Sequence, residues 1–365
     1  MKENYIFIAL FTVIISLPTI LIPVYSNTIK TENRELAKAP KLTDLKSPSL
    51  FISNFESYYK DHFAGKDILS GFYLQLHNDV LKNDPLPKKV IKGKDGWYFL
   101  GDSYSGIFSE SLGISKYNDE HIKMIADYIH EMKSYCDSLG IKFYFAVAPE
   151  KNRFYAEFLP LKSLENDKRL EKLSKYLIKK YGIEIINLGD YLVSEKKKRR
   201  LYYKTDSHWN DYGGFIGTQK LLECIKRDFK DSTILLNLSD YVEYSIPKKR
   251  MDLNLLINKD IAENEIRLKP SDNSKSIEID TLKTTNPRKS YLLHSAGNKS
   301  KLKSIVFRDS YFNAMINFYA NAMGESKYVW SLIFDREIIK KEKPNLVIFQ
   351  VVERHLYDLD KRNQK

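Results

Sequence analysis

Residues 119–148, DEHIKMIADYIHEMKSYCDSLGIKFYFAVA, carry two hydrophobic periods back to back. Ile122, Ile125, Ile129, Met132 and Cys136 recur at three- and four-residue spacing, the stripe of an amphipathic helix. Gly140 is the stop, because glycine accepts the left-handed backbone that closes a helix. Ile141 to Ala148 then runs apolar without alternation, as a strand covered on both faces does. A second unit repeats the order: Leu170, Leu173, Leu177 and Tyr181 form the stripe, Gly182 stops it, and Ile183 to Leu188 is the strand. Helix then strand, repeated, predicts an α/β fold with a parallel sheet flanked by helices. Lys303 to Phe307 and Leu346 to Val352 supply further strands, and a third helix is expected from Asp211 to Phe229.

Outward from this frame the patterns weaken. Val90 to Leu100, VIKGKDGWYFL, reads as a hairpin turning at Lys94-Asp95-Gly96. Phe51 to His77 repeats aromatic and aliphatic residues at helical spacing, so one or two amphipathic helices are expected, with Asp61 and His62 in the break between them as a structural pair. Residues 230–300 hold only short alternating runs among Lys, Asn and Ser, and are read as an irregular β insertion. At the amino terminus, Tyr5 to Tyr25 contains no charged residue and is long enough to cross a hydrocarbon layer of about 30 Å. A retained membrane anchor is expected rather than a cleaved signal peptide, because the run exceeds the usual signal core and no Ala-x-Ala site follows. Its flanking charges argue the other way about an outward-facing body: Lys2 precedes it, while Lys30, Arg34, Lys38 and Lys41 follow. The chain is therefore read as an anchor at 1–28, a connector at 29–50 and one domain at 51–365, with the insertion at about 230–300.

With 43% hydrophobic and 29% charged residues, the chain has the composition of a globular protein able to bury a full core. The net charge of +12 is spread along it, and the basic run Lys196 to Arg200 reads as a solvated loop or helix end, with a patch for an acidic polymer or lipid head groups as the alternative. No zinc-finger spacing, basic zipper or ribonucleoprotein motif is present, so no nucleic-acid partner is expected. Cys136 and Cys224 fall in helical stripes and are read as small core residues. No metal is expected either, since the 7 His are scattered, neither cysteine has a partner at ligand spacing, and Asp206 with His208 offers only two ligands.

Open α/β sheets bind ligands beyond the carboxyl ends of their strands, so the strand exits are where chemistry is expected. Tyr203 to Gly214, YKTDSHWNDYGG, follows the second strand. If its Asp-Ser-His run is extended, Asp206 and His208 point to one side and the carboxylate can orient the imidazole. Gly213, Gly214 and Gly217 open the next helix at a cost of about 1 kcal/mol each, which implies close packing or ligand access there. Ser310, leaving the strand in SIVFRDSYF, stands at a junction with a helix expected over Phe312 to Gly324, near its positive end. Ala148 to Arg153 and Glu353-Arg354-His355 leave two other strands toward the same rim. Together these residues suggest a serine acyl-transfer site. His208 takes the Ser310 proton, Ser310 attacks an acyl carbonyl, and Asp206 holds the imidazole. Backbone amides around Ser310 and Tyr311, with Arg354, are the expected oxyanion donors. Trp97, Trp209 and Tyr311 are candidates for a substrate-facing surface and equally for the core. The bland alternative makes Asp206 a turn cap and Ser310 a helix cap.

Thr205-Asp206-Ser207-His208-Trp209 followed by Tyr212-Gly213-Gly214 resembles the Asp-x-His-Trp block of the alginate O-acetyltransferases of AlgJ/AlgX type and the related DHHW proteins, an SGNH-hydrolase-like group. Glu32-Asn33-Arg34, Tyr59 to Phe63, Gly93 to Phe99, Ala148 to Pro160, Asp309-Ser310-Tyr311 and Glu353-Arg354 extend the resemblance over roughly residues 30–360. It implies a catalytic Asp206, His208 and Ser310, an extracytoplasmic body, and O-acetylation of an exopolysaccharide or cell-wall glycan. It also implies a membrane-bound O-acyltransferase as acyl donor, so no cofactor is expected and acetyl-CoA need not bind. Arg308 departs from the pattern, standing where the group has glycine before Asp-Ser. An esterase using the same triad, or a noncatalytic glycan-binding subunit of an export complex, remains open on the residues alone.

Overall fold

Strand exits at Ala148, Arg308 and Val352 stand on three neighbouring parallel strands of one sheet in the computed structural model. Of the chain, the structure describes 37–41, 47–63, 88–113, 118–161, 169–272, 279–281, 292–296 and 300–359, with scattered residues of 5–20. Two compact units are present, 1–85 and 86–365. In the first lies α1 (Pro48–His62), with Pro48 in its first turn, where the missing N–H costs nothing. His62 lies in its last turn, its Nδ1 on the Tyr58 carbonyl at 2.9 Å, rather than in a break between helices. The remainder of the expected helical stretch, 64–77, falls outside the described residues.

The second unit begins with β1 (Val90–Lys92) and β2 (Tyr98–Leu100), paired antiparallel with Val90 opposite Leu100. Asp95 and Gly96 turn the hairpin with φ of 53° and 77°, which is what its Asp-Gly demands. Then come α2 (Asp119–Ser138), β3 (Lys142–Ala148), α3 (Arg169–Tyr181), β4 (Ile185–Asn187) and α4 (Asp211–Asp228). Asn118 caps α2 through the His121 amide, and Gly140 closes it at φ 68°. The inserted region holds β5 (Tyr241–Lys248), α5 (Asp252–Leu256), β6 (Glu263–Pro270), β7 (Ile279–Thr281) and β8 (Leu292–Ala296). The chain resumes with β9 (Ser304–Arg308), α6 (Ile316–Ala322), β10 (Glu325–Trp330), α7 (Arg336–Glu342) and β11 (Leu346–Val352).

The main sheet has the order β4-β3-β11-β9-β10-β8-β7. The first five strands are parallel, and β8 and β7 add antiparallel at one edge. Hence the inserted region is only partly separate: β5 and β6 form their own ribbon, whereas β7 and β8 extend the main sheet. Period-two alternation, hidden in the apolar runs, sorts the side chains. Phe145, Val147, Ile305, Phe307, Phe349 and Val351 pack with Ile129 of α2, Leu177 of α3 and Ile339 of α7. Tyr144, Ala146, Val306 and Ile348 pack with Leu221 and Ile225 of α4 and Tyr319 of α6 on the opposite face. Since β11, last in the chain, inserts between β3 and β9, the exits of all three flank the point where strand order reverses.

Among the described residues no helix is long and apolar enough to cross a membrane. The expected anchor at Tyr5 to Tyr25 lies largely outside those residues; Tyr5–Ile8 and Leu10–Val13 are helical where described. Ser310 is followed by a 3-10 turn, Ser310–Ala314, and only then by α6, so the long helix expected from Phe312 to Gly324 is shorter and begins later.

Candidate active site

His208 stands between a carboxylate and a hydroxyl. Its Nδ1 lies 2.7 Å from Asp206 Oδ1, and its Nε2 lies 2.7 Å from Ser310 Oγ. An ionised carboxylate can only accept, so with a neutral ring the proton sits on Nδ1, and Nε2 is the acceptor for the serine hydroxyl. The Asp206-Ser207-His208 run is bent, not extended. Asp206 Oδ1 also accepts the His208 backbone N–H at 2.9 Å, an Asx turn that brings acid and imidazole together where the sequence suggested strand alternation. Asp206, His208 and Ser310 are each half-buried, whereas Thr205, Ser207 and Trp209 between and beside them are buried. The reactive edges thus face outward from a fixed backbone.

Two reciprocal bonds couple this turn to the serine. Trp209 Nε1 donates to the Tyr311 carbonyl at 2.8 Å, and the Tyr311 hydroxyl donates to the Ser207 carbonyl at 2.7 Å. Both rings are fully buried, as is Trp97, which stacks on Tyr155 and Phe158. Burial therefore makes all three packing groups rather than a surface that could grip a glycan. The glycines at the start of α4 answer to the same packing. A Cβ on Gly214 would lie 2.4 Å from the Ala314 carbonyl oxygen, and one on Gly213 would lie 2.7 Å from Trp209 Cβ.

The expected oxyanion donors fare unequally. The Tyr311 N–H already donates to Asp309 Oδ1 at 2.9 Å. Arg354 is buried, its guanidinium over the Tyr311 ring and one nitrogen donating to Glu150 Oε2 at 2.6 Å, so it is tied to Tyr311 and Glu150 in the interior. Asp309 Oδ2 accepts the Val352 N–H at 2.6 Å and faces His355 Nδ1 at 3.1 Å, tying the β9 exit to the β11 exit. Arg308, at the position where glycine was expected, is buried against Trp330 at 4.5 Å and donates to Asn313 Oδ1 at 2.6 Å. It braces the turn that carries Ser310.

Charge at the imidazole is set by opposing effects. Burial alone would lower the His208 pKa, but the hydrogen bond and charge of Asp206, reinforced by Asp252, outweigh it and raise it to about 10. Burial works to raise the Asp206 pKa, and His208 pulls it well below the usual carboxylate range. Asp206, His208 and Asp252 do place one potential ligand atom each within 4.8 Å of one another. However, His208 Nδ1 is already on Asp206, and both Asp252 oxygens accept from Ser207, so the cluster is closed by its own hydrogen bonds.

The chain matches a known family. Residues 90–353 match the model of the SGNH hydrolase-like domain of acetyltransferase AlgX. The chain belongs to that AlgX family. A curated relative, the probable alginate O-acetylase AlgJ of Pseudomonas syringae pv. tomato, is 23% identical over 173 residues, covering 46% of this chain and 40% of that protein. Among solved structures, PatB1 of Bacillus cereus superposes with a TM-score of 0.55 at 17% identity, covering 73% of this chain and 96% of that one. A DHHW family protein from Eubacterium siraeum gives 0.51 at 14% identity, covering 75% and 98%. At such identities these two structures speak for the fold.

Within this AlgX-family domain, several residues around the site escape sequence reasoning. Lys151 is buried, and its ammonium donates to the carbonyls of Tyr98, Lys204 and Asp206 at 2.6, 2.9 and 2.7 Å. Burial pulls it down to about 7 against the attraction of Asp252, Asp206, Glu263 and Glu150. Glu263 of β6 accepts from the Lys204 and Thr205 amides at 2.8 Å each, and from the Thr205 hydroxyl at 2.6 Å. Both hold the turn that carries Asp206. The basic run 196–200 is largely neutralised: Lys196 pairs with Glu157, Lys198 and Arg199 with Glu195, and Arg200 with Glu263. That favours the solvated-surface reading over an anion patch.

Proposed function

We propose that this protein is an O-acetyltransferase that passes an acetyl group through Ser310 to hydroxyls of an exopolysaccharide or cell-wall glycan. The observation that carries the reading is His208 bridging Asp206 and Ser310 at 2.7 Å on each side. Membership of a family described as acetyltransferases supports the group transferred, and the alginate O-acetylase named among the relatives supports a polysaccharide acceptor.

In this mechanism Ser310 Oγ attacks the acyl carbonyl as its proton passes to His208 Nε2. The imidazolium is stabilised by Asp206 and then returns the proton to the leaving group. The Ser310 amide, at the first position of the 3-10 turn, is the oxyanion donor of this reading, since the Tyr311 amide is engaged by Asp309. A sugar hydroxyl then gives its proton to His208 and attacks the acetyl-serine, restoring the free enzyme. The acyl group comes from a membrane-bound O-acyltransferase, so no cofactor is needed in this domain. An anchor at residues 1–28 and a connector at 29–50 would hold the catalytic domain outside the cytoplasm at the cell membrane; the charge-free run Tyr5 to Tyr25 supports this.

The test uses the full chain with p-nitrophenyl acetate. Acetyl-Ser310 seen by mass spectrometry, and absent in Ser310→Ala and His208→Ala, is the expected result. Adding an unacetylated polysaccharide should then divert acetate from water to glycan. Folded protein that forms no adduct would overturn the reading, and an adduct released only to water would make it an esterase.

A further inference from the structure

A second carboxylate faces the catalytic imidazole. Asp252, the first residue of α5 in the inserted region, places Oδ2 3.4 Å from His208 Nδ1, on the same edge of the ring as Asp206. It does not reach there by chance of a mobile side chain. Its Oδ1 accepts the Ser207 amide at 2.7 Å, its Oδ2 accepts the Ser207 hydroxyl, and its own amide donates to Asp206 Oδ2 at 3.2 Å. The next residue, Leu253, is fully buried with Val90, Leu100 and Ile107, and its amide donates to the Thr205 carbonyl at 3.2 Å. Asp252 is thereby held from below by a small core and from above by the catalytic turn.

We propose that Asp252 is a positioning residue of the acyl-transfer reaction, which shares with Asp206 the task of orienting His208 and stabilising its imidazolium form. The inference rests on the acyl-transfer reading above. Its physical basis is a division of labour. Asp206 spends Oδ1 on His208 and Oδ2 on the Asp252 amide, so its orientation depends on α5. The second negative charge lies close enough to act on the ring directly, since opposite charges within about 4–6 Å favour the charged form. The other groups facing the imidazole are the Ser207 hydroxyl, 3.3 Å from Nδ1, Ser310 from the β9 exit, and the Tyr311 ring, 5.1 Å away centroid to centroid. Lys151, from the β3 exit, stands behind the turn on the Asp206 carbonyl and opposes both acids.

On this proposal the imidazole gives up its proton at a higher pH than it would beside Asp206 alone. Formation of acetyl-Ser310 from p-nitrophenyl acetate in the full chain should rise with pH along a limb set by His208. In Asp252→Asn, which keeps the size and an acceptor for the Ser207 amide, that limb should move down by about one pH unit, and its plateau should fall severalfold as the imidazolium loses support. Asp252→Glu should hold the limb near its original place. Ser207→Ala, which removes the hydroxyl contact to Asp252 and to Nδ1 but leaves the charge, should not move the limb down. If Asp252→Asn does not fold, Asp252→Ser makes the same test with a smaller neutral side chain. An unmoved limb in the neutral variants, or an equal movement in Ser207→Ala, would overturn the proposal and leave Asp252 a brace of the turn. Acetylation persisting in Ser310→Ala would instead show that the underlying acyl-transfer reading has failed.

Discussion

Trp209 and Tyr311 hold each other across the site, the indole N–H on the Tyr311 carbonyl at 2.8 Å, with the Tyr311 hydroxyl reaching back to the residue before His208. The proposed base, His208, and nucleophile, Ser310, lie on segments about a hundred residues apart, and these two bonds tie those segments together. Trp209→Phe and Tyr311→Phe each remove one donor and leave a buried carbonyl unsatisfied, at a cost of about 1–3 kcal/mol. Acylation of Ser310 should fall about tenfold or more, because small misplacements of reacting groups cost large factors in rate. Urea denaturation and burst kinetics of both single variants and the double check this. The two costs should not add, as the bonds act on one spacing.

The Asp206–His208 pair makes stability depend on pH with a defined sign. The His208 pKa is raised from 6.5 to about 10 in the folded protein, so the folded state binds this proton more tightly. Its contribution is fully present below 6.5 and is lost as pH rises toward 10. Asp206, lowered from 3.8, contributes above that value and loses its contribution as pH falls below it. These are two views of one interaction and are counted once. The melting-temperature difference between the unaltered protein and His208→Gln should therefore be largest near pH 5–6 and shrink steadily toward pH 10. A difference that stays level over that range would show that the pair carries no net charge stabilisation.

Gly214 is where helix propensity and packing oppose each other. Alanine at an interior helix position gains about 1 kcal/mol over glycine. Here the added Cβ would sit 2.4 Å from the Ala314 carbonyl oxygen, and backbone cannot give way cheaply. Overpacking of about 1–3 kcal/mol should win, so Gly214→Ala is expected to be destabilising and to slow acylation, because Ala314 ends the turn that begins at Ser310. Gly217→Ala meets only the rim of the Trp209 ring at 3.0 Å and should be milder. Thermal melts and acylation rates of the two variants decide whether that order holds.

What was legible in the sequence follows from how local each signal is. The helix over 119–138 and the strand 346–352 announce themselves because their own residues carry the period and the stops. Ser310 could be singled out because it leaves a strand end in a short polar run, and Asp206 and His208 because of their Asp-x-His spacing, although the strand before them ends at Asn187. Their geometry could not be read, since an Asx turn and an extended strand both bring residues two apart to one side. Glu150, Lys151 and Asn152 lie in a stretch read only as leaving a strand toward the rim, and their burial could not be foreseen because the groups that satisfy them lie far off in the chain: Arg354, the Tyr98 carbonyl and the Leu100 carbonyl. Asp252 and Glu263 were invisible for the same reason. They act on 204–208 from a region whose own pattern is irregular, and nothing near them in sequence marks them.

Arg354 offers a way to separate a donor to the oxyanion from a support beneath it. Its guanidinium donates to Glu150 Oε2 at 2.6 Å, both side chains are buried, and Glu150 in turn donates its amide to Glu353 and caps the turn beginning at Lys151. Removing the cation in Arg354→Met leaves the Glu150 carboxylate uncompensated in the interior, which costs about 3–5 kcal/mol. Glu150→Gln in the same chain removes the stranded charge and should recover part of that loss. Arg354→Lys should not substitute well, because a point charge on a shorter reach cannot lie over Tyr311 and also reach Glu150 as the guanidinium does. Stability should thus fall first, and acylation only as far as Tyr311 shifts. The opposite pattern, an unchanged unfolding midpoint with acylation reduced a hundredfold, would place the guanidinium on the reacting oxygen and return Arg354 to the oxyanion role expected from its strand exit.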